Sequence, residues 1–259
     1  MILLALESAS LSASAALLIG NAVVSEASVD VKKTHSETLL PMAESVMRMA
    51  GISPKELDAV AVSMGPGSFT GLRIGASLAK GLAFSVDKPI VPVPTIDAMA
   101  YGLAGAETIV SPILDARRSE VYTGLYAFSG NEMIILREAS AMTLSNAIAE
   151  AQKKALALNK RVLFTGDGLD VHEETIRNEF PEALIALPHQ RYQKASAVAS
   201  YAKVLFEAGK VVSAEAFSPL YLRMSQAERE RTEQGLSVEP GEGPDIRPEN
   251  KSIPGVLEV

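Results

Sequence analysis

The order of predicted secondary structure repeats along this chain, and that repeat restricts the fold more than any other feature. In residues 1–105, apolar runs and turn signals predict three strands, a helix, a strand and a helix, and the same order restarts after residue 105. The two halves share this order without a residue-by-residue repeat. We therefore expect an α/β class with two similar subdomains in tandem rather than one continuous sheet.

Turn and capping residues bound the predicted elements. Strands are predicted at residues 2–6, 14–19, 22–29, 58–63, 90–92, 109–114, 120–128, 133–137 and 161–165. Helices are predicted at residues 36–50, 72–86, 95–103, 144–158, 169–180 and 196–207. We assign residues 1–105 to the first subdomain and 106–224 to the second. The pattern leaves open which half the last helix and residues 216–223 pack against.

Cysteine is absent from the chain, which excludes several classes of protein. Without it there is no disulfide framework, no cysteine-ligated metal site and no thiol nucleophile. His35, His172 and His189 are far apart in sequence and lack the paired spacing of a zinc site, so we expect no metal site. The net charge of −7 argues against nucleic-acid binding by the chain alone, because phosphate contacts need lysine and arginine.

The first 31 residues are apolar and rich in Ser and Ala, but they do not follow the order of a secretory signal. The first basic residue of the chain is Lys32, and Glu7 interrupts the apolar run. A signal peptide, in contrast, carries positive charge before its apolar stretch. No stretch approaches the roughly 18 apolar residues that span a membrane. A cytoplasmic protein with no membrane segment is therefore expected.

Residues 225–259 differ in composition from the rest of the chain. They contain eight Asp or Glu and four Lys or Arg, a charge of −4, which leaves −3 for the preceding residues. Four prolines, interleaved glycines and few large apolar side chains provide little surface to offset the entropy of ordering. The composition predicts a mobile acidic tail, with folding on a partner as the alternative.

The glycine-rich stretch at residues 64–75, Met-Gly-Pro-Gly-Ser-Phe-Thr-Gly-Leu-Arg-Ile-Gly, lies between a predicted buried strand and a helix. Backbone N–H groups and the helix dipole favour an anion at such a junction. Neither the Walker A motif nor the dinucleotide fingerprint matches, since Leu72 follows Gly71 and the spacing after Gly67 is too long. The candidate phosphate-binding residues are Gly65, Gly67, Ser68, Thr70 and Gly71. The alternative is a tight connection with packing glycines.

Three other strand ends carry candidate phosphate-binding residues. Glu7 and Ser8 end the first strand, where a carboxylate could face a phosphate or its metal, although a lone acid there is commonly solvent-facing. Asp115 ends the equivalent strand of the second half. The turn Gly166, Asp167 and Gly168 precedes a helix, and turn chemistry alone explains it equally well. No Ser-His-Asp set or carboxylate pair is recognisable, so no catalytic residue is assigned.

Two helices are candidates for a subunit interface. Helix 36–50 is apolar over most of its circumference, and helix 72–86 is rich in small residues that allow close helix approach. Glycine in a helix interior costs about 1 kcal/mol, so Gly75 and Gly81 need a packing reason. The predicted interface residues are Leu39, Met42, Ala43, Val46, Met47, Gly75, Ala79, Leu82 and Ala83. The alternative is that both apolar sides of helix 36–50 pack against other parts of the same chain.

Several stretches together resemble the bacterial TsaB (YeaZ) family. They are residues 5–8, 35–41, 65–75, 115–122, 166–168 and 219–223, and the similarity extends over residues 1–223. The block Gly-Pro-Gly-Ser-Phe-Thr-Gly-Leu-Arg is the most specific of them. Glu7 stands where that family often has Asp, so a carboxylate is kept. The acidic tail lies outside the resemblance.

The resemblance implies an actin-like fold of the Hsp70 and sugar-kinase type, with two ribonuclease-H-like halves. It also implies that the chain acts together with a catalytic paralogue, TsaD, and an ATPase, TsaE. Together these transfer threonylcarbamoyl from threonylcarbamoyl-adenylate to N6 of adenosine 37 in tRNAs that read ANN codons. The catalytic paralogue holds a metal with a His-x-x-x-His pair, and residues 95–102 here contain no histidine.

A non-catalytic dimerisation and scaffold subunit is therefore expected. It would pair with TsaD, contact tRNA only through the complex and form a homodimer when isolated, with ATP or ADP and Mg²⁺ as candidate cofactors at the subunit interface. The alternatives are a self-sufficient ATP-dependent transferase or hydrolase and, ranked last, a metallopeptidase of the glycoprotease type.

Overall fold

The computed structural model describes residues 1–30, 34–117 and 119–222, so the predicted tail at 225–259 lies outside the described residues. The chain divides into two compact units. The described residues of the first are 1–98 and 193–222, and those of the second are 99–192.

The strands are β1 (Ile2–Glu7), β2 (Ala13–Ile19), β3 (Ala22–Val29), β4 (Ala59–Gly65), β5 (Ile90–Pro94), β6 (Ile109–Asp115), β7 (Glu120–Ser129), β8 (Glu132–Thr143), β9 (Val162–Thr165) and β10 (Leu184–Ile185). The helices are α1 (His35–Met49), α2 (Phe69–Ser85), α3 (Thr95–Tyr101), α4 (Leu144–Leu158), α5 (Leu169–Glu179), α6 (Pro188–Arg191) and α7 (Ala195–Glu207). A 3₁₀ turn covers Pro54–Glu56.

The first unit is a mixed five-stranded sheet with strand order β3-β2-β1-β4-β5. β2 is antiparallel to β1 and β3, whereas β4 is parallel to β1 and β5. Leu4 and Leu6 of β1 join the core beneath α1 and α2, while the alternate residues Leu3 and Ala5 are equally buried. Since successive strand residues point to opposite faces, β1 is covered on both sides. α7 packs against β1 and β2.

The second unit repeats this topology. Its sheet has the order β10-β9-β6-β7-β8, in which β6 again has an antiparallel neighbour, β7, on one side and a parallel neighbour, β9, on the other. α4 packs against β7 and β8, and its buried face joins β6 and β9 in a separate core. The tandem of two α/β sheets expected from the sequence is confirmed.

The main differences from the predicted elements have local causes. α2 begins at Phe69 rather than Leu72, because Ser68 caps it. β8 extends to Thr143, past the predicted end at residue 137, through pairing with β7. The short elements β10 and α6 were not predicted. The units also differ from the predicted subdomains, since the first ends at Ala98 and takes in residues 193–222.

Candidate functional site

The glycine-rich stretch forms the junction between β4 and α2. β4 ends at Gly65, a cis peptide bond joins Gly65 to Pro66, and the Ser68 hydroxyl accepts a hydrogen bond from the Gly71 N–H at 3.3 Å. Thr70 and Gly71 therefore lie in the first turn of the helix rather than in a loop. A helix N-terminus is thus present where an anion site was predicted.

The turn that follows β1 lies directly against this junction. The Ser68 N–H donates to the Ala9 carbonyl at 2.6 Å, and the Ser8 hydroxyl donates to the Gly71 carbonyl at 2.9 Å. A Cβ on Gly67 would overlap the Ala9 carbonyl oxygen, and one on Gly71 would overlap that of Ser8. These glycines therefore permit a close contact within the chain, as the alternative of a tight connection with packing glycines predicted. Their phosphate-binding role stays a prediction.

The Glu7 carboxylate is buried, with 1% of the residue exposed. Oε1 accepts the Ala9 N–H at 2.6 Å, and Oε2 accepts the hydroxyl of Ser63. Burial raises the pKa of Glu7, while the hydrogen bonds from Ser63 and from the backbone oppose that rise. Glu7 is therefore not the solvent-facing acid of the alternative interpretation. It holds the turn after β1 to β4.

The remaining phosphate candidates lie in the second unit. Asp115 ends β6, is exposed, and accepts the Arg117 N–H at 2.8 Å through Oδ1. The turn 166–168 follows β9 and packs on β6, where the Gly168 N–H donates to the Ile113 carbonyl at 3.0 Å. Gly166 has φ +110°, and a Cβ there would overlap the Ile113 carbonyl oxygen. Asp115 and the turn therefore sit at the carboxyl ends of the adjacent parallel strands β6 and β9.

Most of the predicted interface residues face the inside of the first unit, and Leu39 also lines the surface between α1 and α2. α1 packs on β2 and β3, and α2 packs on β4. Eight of the nine are buried, namely Leu39, Met42, Ala43, Val46, Met47, Gly75, Ala79 and Ala83, and Leu82 is half-buried. That they contact a second subunit stays a prediction, because burial within one chain does not test it. Helical periodicity identifies an apolar face but not whether a sheet or a second subunit covers it.

The outward surfaces of α1 and α2 form an open groove of about 560 Å³. It is lined by His35, Ser36, Leu39, Leu40, Phe69, Thr70, Arg73, Ile74, Ser77 and Leu78, which we call the α1–α2 groove. Leu40 is 42% exposed. The Arg73 guanidinium lies 3.9 Å from the centre of the Phe69 ring. Sequence reasoning missed most of these residues, although Thr70, Ile74 and Leu78 on α2 are spaced four apart, as are Ser36 and Leu40 on α1.

The two α2 glycines differ in their surroundings. Gly75 is buried, and a Cβ there would overlap the Ser8 hydroxyl oxygen. Gly81 is exposed, with no atom within 4 Å of the Cβ position. Gly75 therefore has a packing reason within the chain, whereas Gly81 leaves open space on the outward surface.

Two properties of the described residues concern the metal site and the membrane segment considered in the sequence analysis. No group of three or more His, Cys, Asp or Glu side chains in residues 1–30, 34–117 and 119–222 is placed to hold a metal ion. No helix in this part of the chain combines the length and apolar character needed to cross a membrane. The His35 ring is held by the chain itself, with Nε2 2.7 Å from the Ser10 carbonyl oxygen.

Comparison with known proteins identifies the family. Residues 26–231 match the family model described as TsaD, tRNA N6-adenosine threonylcarbamoyltransferase. The tRNA threonylcarbamoyladenosine biosynthesis protein TsaB of Bacillus subtilis is 31% identical over 229 residues, covering 88% of this chain and 96% of that protein. The TsaB of Haemophilus influenzae is 31% identical over 201 residues, covering 74% and 81% respectively.

A solved structure agrees with these relatives. The structure described as YeaZ from Pseudomonas aeruginosa is 26% identical, with a TM-score of 0.68, and the match covers 85% of this chain and 99% of that one. A second Pseudomonas aeruginosa structure, described as similar to peptidase YEAZ, has a TM-score of 0.71 at 27% identity and covers 86% and 99%. The predicted α/β fold with two sheets in tandem is confirmed, and the YeaZ structures share it over most of the chain. The chain belongs to the TsaB (YeaZ) family of proteins of tRNA threonylcarbamoyladenosine biosynthesis.

Proposed function

We propose that this chain is the non-catalytic scaffold subunit of a tRNA threonylcarbamoyladenosine assembly and docks its catalytic relative through the α1–α2 groove. In the proposed reaction the N6 amine of adenosine 37 attacks the carbamoyl carbon of threonylcarbamoyl-adenylate, and AMP leaves. That step belongs to TsaD, the direct partner. TsaE and tRNA join through the assembly, which is proposed to act in the cytoplasm.

The α1–α2 groove is the observation that carries this proposal. Apolar side chains of both helices line it, with Leu40 and Phe69 among them, and Arg73 adds a positive charge. An exposed apolar patch bordered by polar residues is typical of a protein interaction site. Ser77 and Gly81 extend the surface along α2 with small residues, which allow another helix to approach closely.

The environment of the predicted phosphate site supports a non-catalytic role. The turn after β1 contacts the glycines at the start of α2, and the Glu7 carboxylate accepts hydrogen bonds from Ser63 and Ala9. Both groups therefore already make contacts within the chain, which supports a structural role for them. ATP or ADP with Mg²⁺ is proposed to bind only once the two subunits are joined.

Calorimetry with purified TsaD tests the docking surface through Leu40→Asp. A carboxylate there would be desolvated against an apolar partner, so we expect the Kd to rise about tenfold or more, or about 1.4 kcal/mol. Leu156→Asp is the matched control, because Leu156 is an exposed leucine on α4 with 84% exposure. Circular dichroism establishes that each variant is folded. Unchanged affinity of a folded Leu40→Asp variant would overturn the proposal.

A further inference from the structure

Residues 213–222 form a strap that lies along α2 and β4. The Lys80 ammonium donates to the carbonyls of Glu215 at 3.1 Å and Phe217 at 2.9 Å. The Leu220 N–H donates to a backbone carbonyl of β4 at 2.7 Å. Phe217 is buried in the core of the first unit. The strap is therefore anchored at several points close to its end.

The end of the strap forms a three-residue cluster with the start of α2. Phe69 and Arg73 lie one turn apart on that helix, and the Arg73 Cζ lies 3.9 Å from the centre of the Phe69 ring. The Tyr221 ring centre lies 5.0 Å from that of Phe69. Arg73 Nε donates to the Tyr221 hydroxyl at 3.3 Å. The guanidinium is therefore stacked on one aromatic ring and hydrogen-bonded to the hydroxyl of another.

This cluster uses only part of the hydrogen-bonding capacity of Arg73. Its planar fork carries N–H donors on Nε, Nη1 and Nη2, and only Nε makes a hydrogen bond within residues 1–30, 34–117 and 119–222. In the same part of the chain, no ion pair joins Arg73 to a carboxylate. By contrast, Arg137, Arg177 and Arg191 of the second unit each pair with a glutamate. Arg73 is thus held in place while its two terminal nitrogens remain available to a partner.

The surface around Arg73 is apolar and lacks acidic groups. The lining residues of the α1–α2 groove include no carboxylate, and the glutamates of α1, Glu37 and Glu44, are not among them. The ring of His35, the other basic side chain of the lining, has its Nε2 2.7 Å from the Ser10 carbonyl oxygen. The groove therefore presents one positive charge among apolar side chains. Its complementary occupant carries a carboxylate among apolar side chains.

We propose that Arg73 binds an Asp or Glu side chain of TsaD and that Tyr221 holds Arg73 in position for it. This inference rests on the proposed function, in which TsaD docks in the same groove. Pairing through Nη1 and Nη2 is bidentate and matches the planar geometry of a carboxylate. The contacts with Phe69 and Tyr221 restrict the arginine before binding, so less conformational freedom is lost on association. Arg73 is therefore the specificity-determining residue of the groove, and Tyr221 is a positioning residue.

Calorimetry with the full chain and purified TsaD at low and high salt tests the role of the charge. Arg73→Met keeps the aliphatic stem, and we expect it to raise the Kd about tenfold at about 50 mM salt and less at about 500 mM, where charges are screened. Arg73→Lys keeps the charge without the fork and should raise the Kd about threefold. Arg117→Met, at an exposed arginine of the second unit, is the matched control and should leave the Kd unchanged. An unchanged Kd for Arg73→Met overturns the proposal.

A set of TsaD variants identifies the partner carboxylate. Each exposed Asp or Glu of TsaD is changed in turn to Asn or Gln, and its affinity is measured for the wild-type chain and for Arg73→Met in a double-mutant cycle. We expect one TsaD variant to lose about tenfold in affinity for the wild-type chain and almost nothing for Arg73→Met. If Arg73→Met weakens binding but no TsaD carboxylate is coupled to it, the proposal is overturned.

Tyr221→Phe tests the positioning role, because it keeps the ring and removes the hydroxyl. We expect the Kd to rise about twofold to threefold in the wild-type background and not to rise further in combination with Arg73→Met, since the hydroxyl acts through Arg73. In nuclear magnetic resonance spectra, the Arg73 Nε–H signal should be protected from exchange with water in the wild-type chain and lose that protection in Tyr221→Phe. Additive losses of affinity in the double variant would contradict the positioning role.

The possible outcomes distinguish this inference from the proposed function. If a folded Leu40→Asp variant keeps its affinity for TsaD, the docking surface is wrong and the carboxylate pairing fails with it. If Leu40→Asp weakens binding and Arg73→Met does not, the docking surface stands and only the pairing is overturned. If Arg73→Met dissociates a homodimer of the isolated chain without changing the affinity for TsaD, a second copy supplies the carboxylate, which also overturns the pairing.

Discussion

Ser8 and Gly71 are in direct contact across the junction of the β1–β2 turn and α2. The Ser8 hydroxyl donates to the Gly71 carbonyl at 2.9 Å, and the Ser8 carbonyl oxygen occupies the position of a side chain at residue 71. Gly71, one of the predicted phosphate-binding residues, thus makes room for the chain's own backbone. This contact ties the end of β1 to the helix that lines the α1–α2 groove.

Gly71→Ala should destabilise the protein. The new methyl group would overlap a backbone oxygen, which cannot move without shifting the turn, so we expect a loss of about 1–3 kcal/mol. Gly81→Ala is the matched control on the same helix, since its Cβ would meet no atom within 4 Å. It should gain up to about 1 kcal/mol through helix propensity. Urea denaturation measures the free energy of unfolding of both variants. Equal values for the two would contradict the close contact assigned to Gly71.

Glu7→Gln should change how stability depends on pH. Burial raises the folded-state pKa of Glu7 above its ordinary value of 4.5, so the folded state holds the proton more tightly than the unfolded state. Glu7 therefore lowers the free energy of unfolding progressively as the pH rises from about 4.5 through the folded-state pKa. Relative to wild type, E7Q should become more stable over that window. Urea denaturation at several pH values measures the free energy of unfolding of wild type and E7Q. If the two proteins differ by the same amount at every pH, Glu7 has no such effect.

Lys80→Met should loosen the strap while keeping the aliphatic stem. Two carbonyl groups, of Glu215 and Phe217, would lose a charged donor, and we expect a loss of about 1 kcal/mol because water can partly replace it. Lys153→Met, at an exposed position of α4, is the control and should change stability little. Thermal unfolding compares them. A Lys80→Met variant as stable as the control would indicate that the strap is held without this side chain.

The isolated chain should give no measurable heat with ATP and Mg²⁺. Ser8 and Ala9 occupy the approach to the glycines at the start of α2, and the Glu7 carboxylate is directed to Ser63 and Ala9. Titration calorimetry tests this directly, and the same titration on the complex with TsaD provides the comparison. Binding to the isolated chain with a Kd below about 1 mM would instead favour the ATP-dependent enzyme alternative.

Local signals were sufficient for much of the fold. α4 was predicted with its observed bounds, because the Thr143 hydroxyl caps its start and Asn159 ends it in the left-handed conformation. β3 was likewise predicted with its observed bounds by an apolar run after a turn at Gly20. The most specific part of the family resemblance was a contiguous block, residues 65–73, which needed no tertiary information.

The candidate site needed the three-dimensional arrangement. Val46 and Ala79 were placed at a subunit interface, yet both are fully buried beneath the outward surface on which Leu40 lies. Glu7 was interpreted as either a ligand or a solvent-facing acid, and it is a buried acceptor of two internal hydrogen bonds. In each case the residue type indicated an apolar or a polar role. The neighbours that determine the residue's surroundings, however, are distant in sequence.

The sequence by itself determined most of the elements, the tandem α/β order and the family, because periodicity, caps and motif residues act over a few positions. Only the tertiary structure decided which face of α1 and α2 is free, and that the strap at 213–222 ends beside the α1–α2 groove. Those relationships depend on which distant segment covers a surface. Contacts such as Ser8 with Gly71 and Arg73 with Tyr221 join residues 63 and 148 positions apart, and no local pattern encodes such pairs.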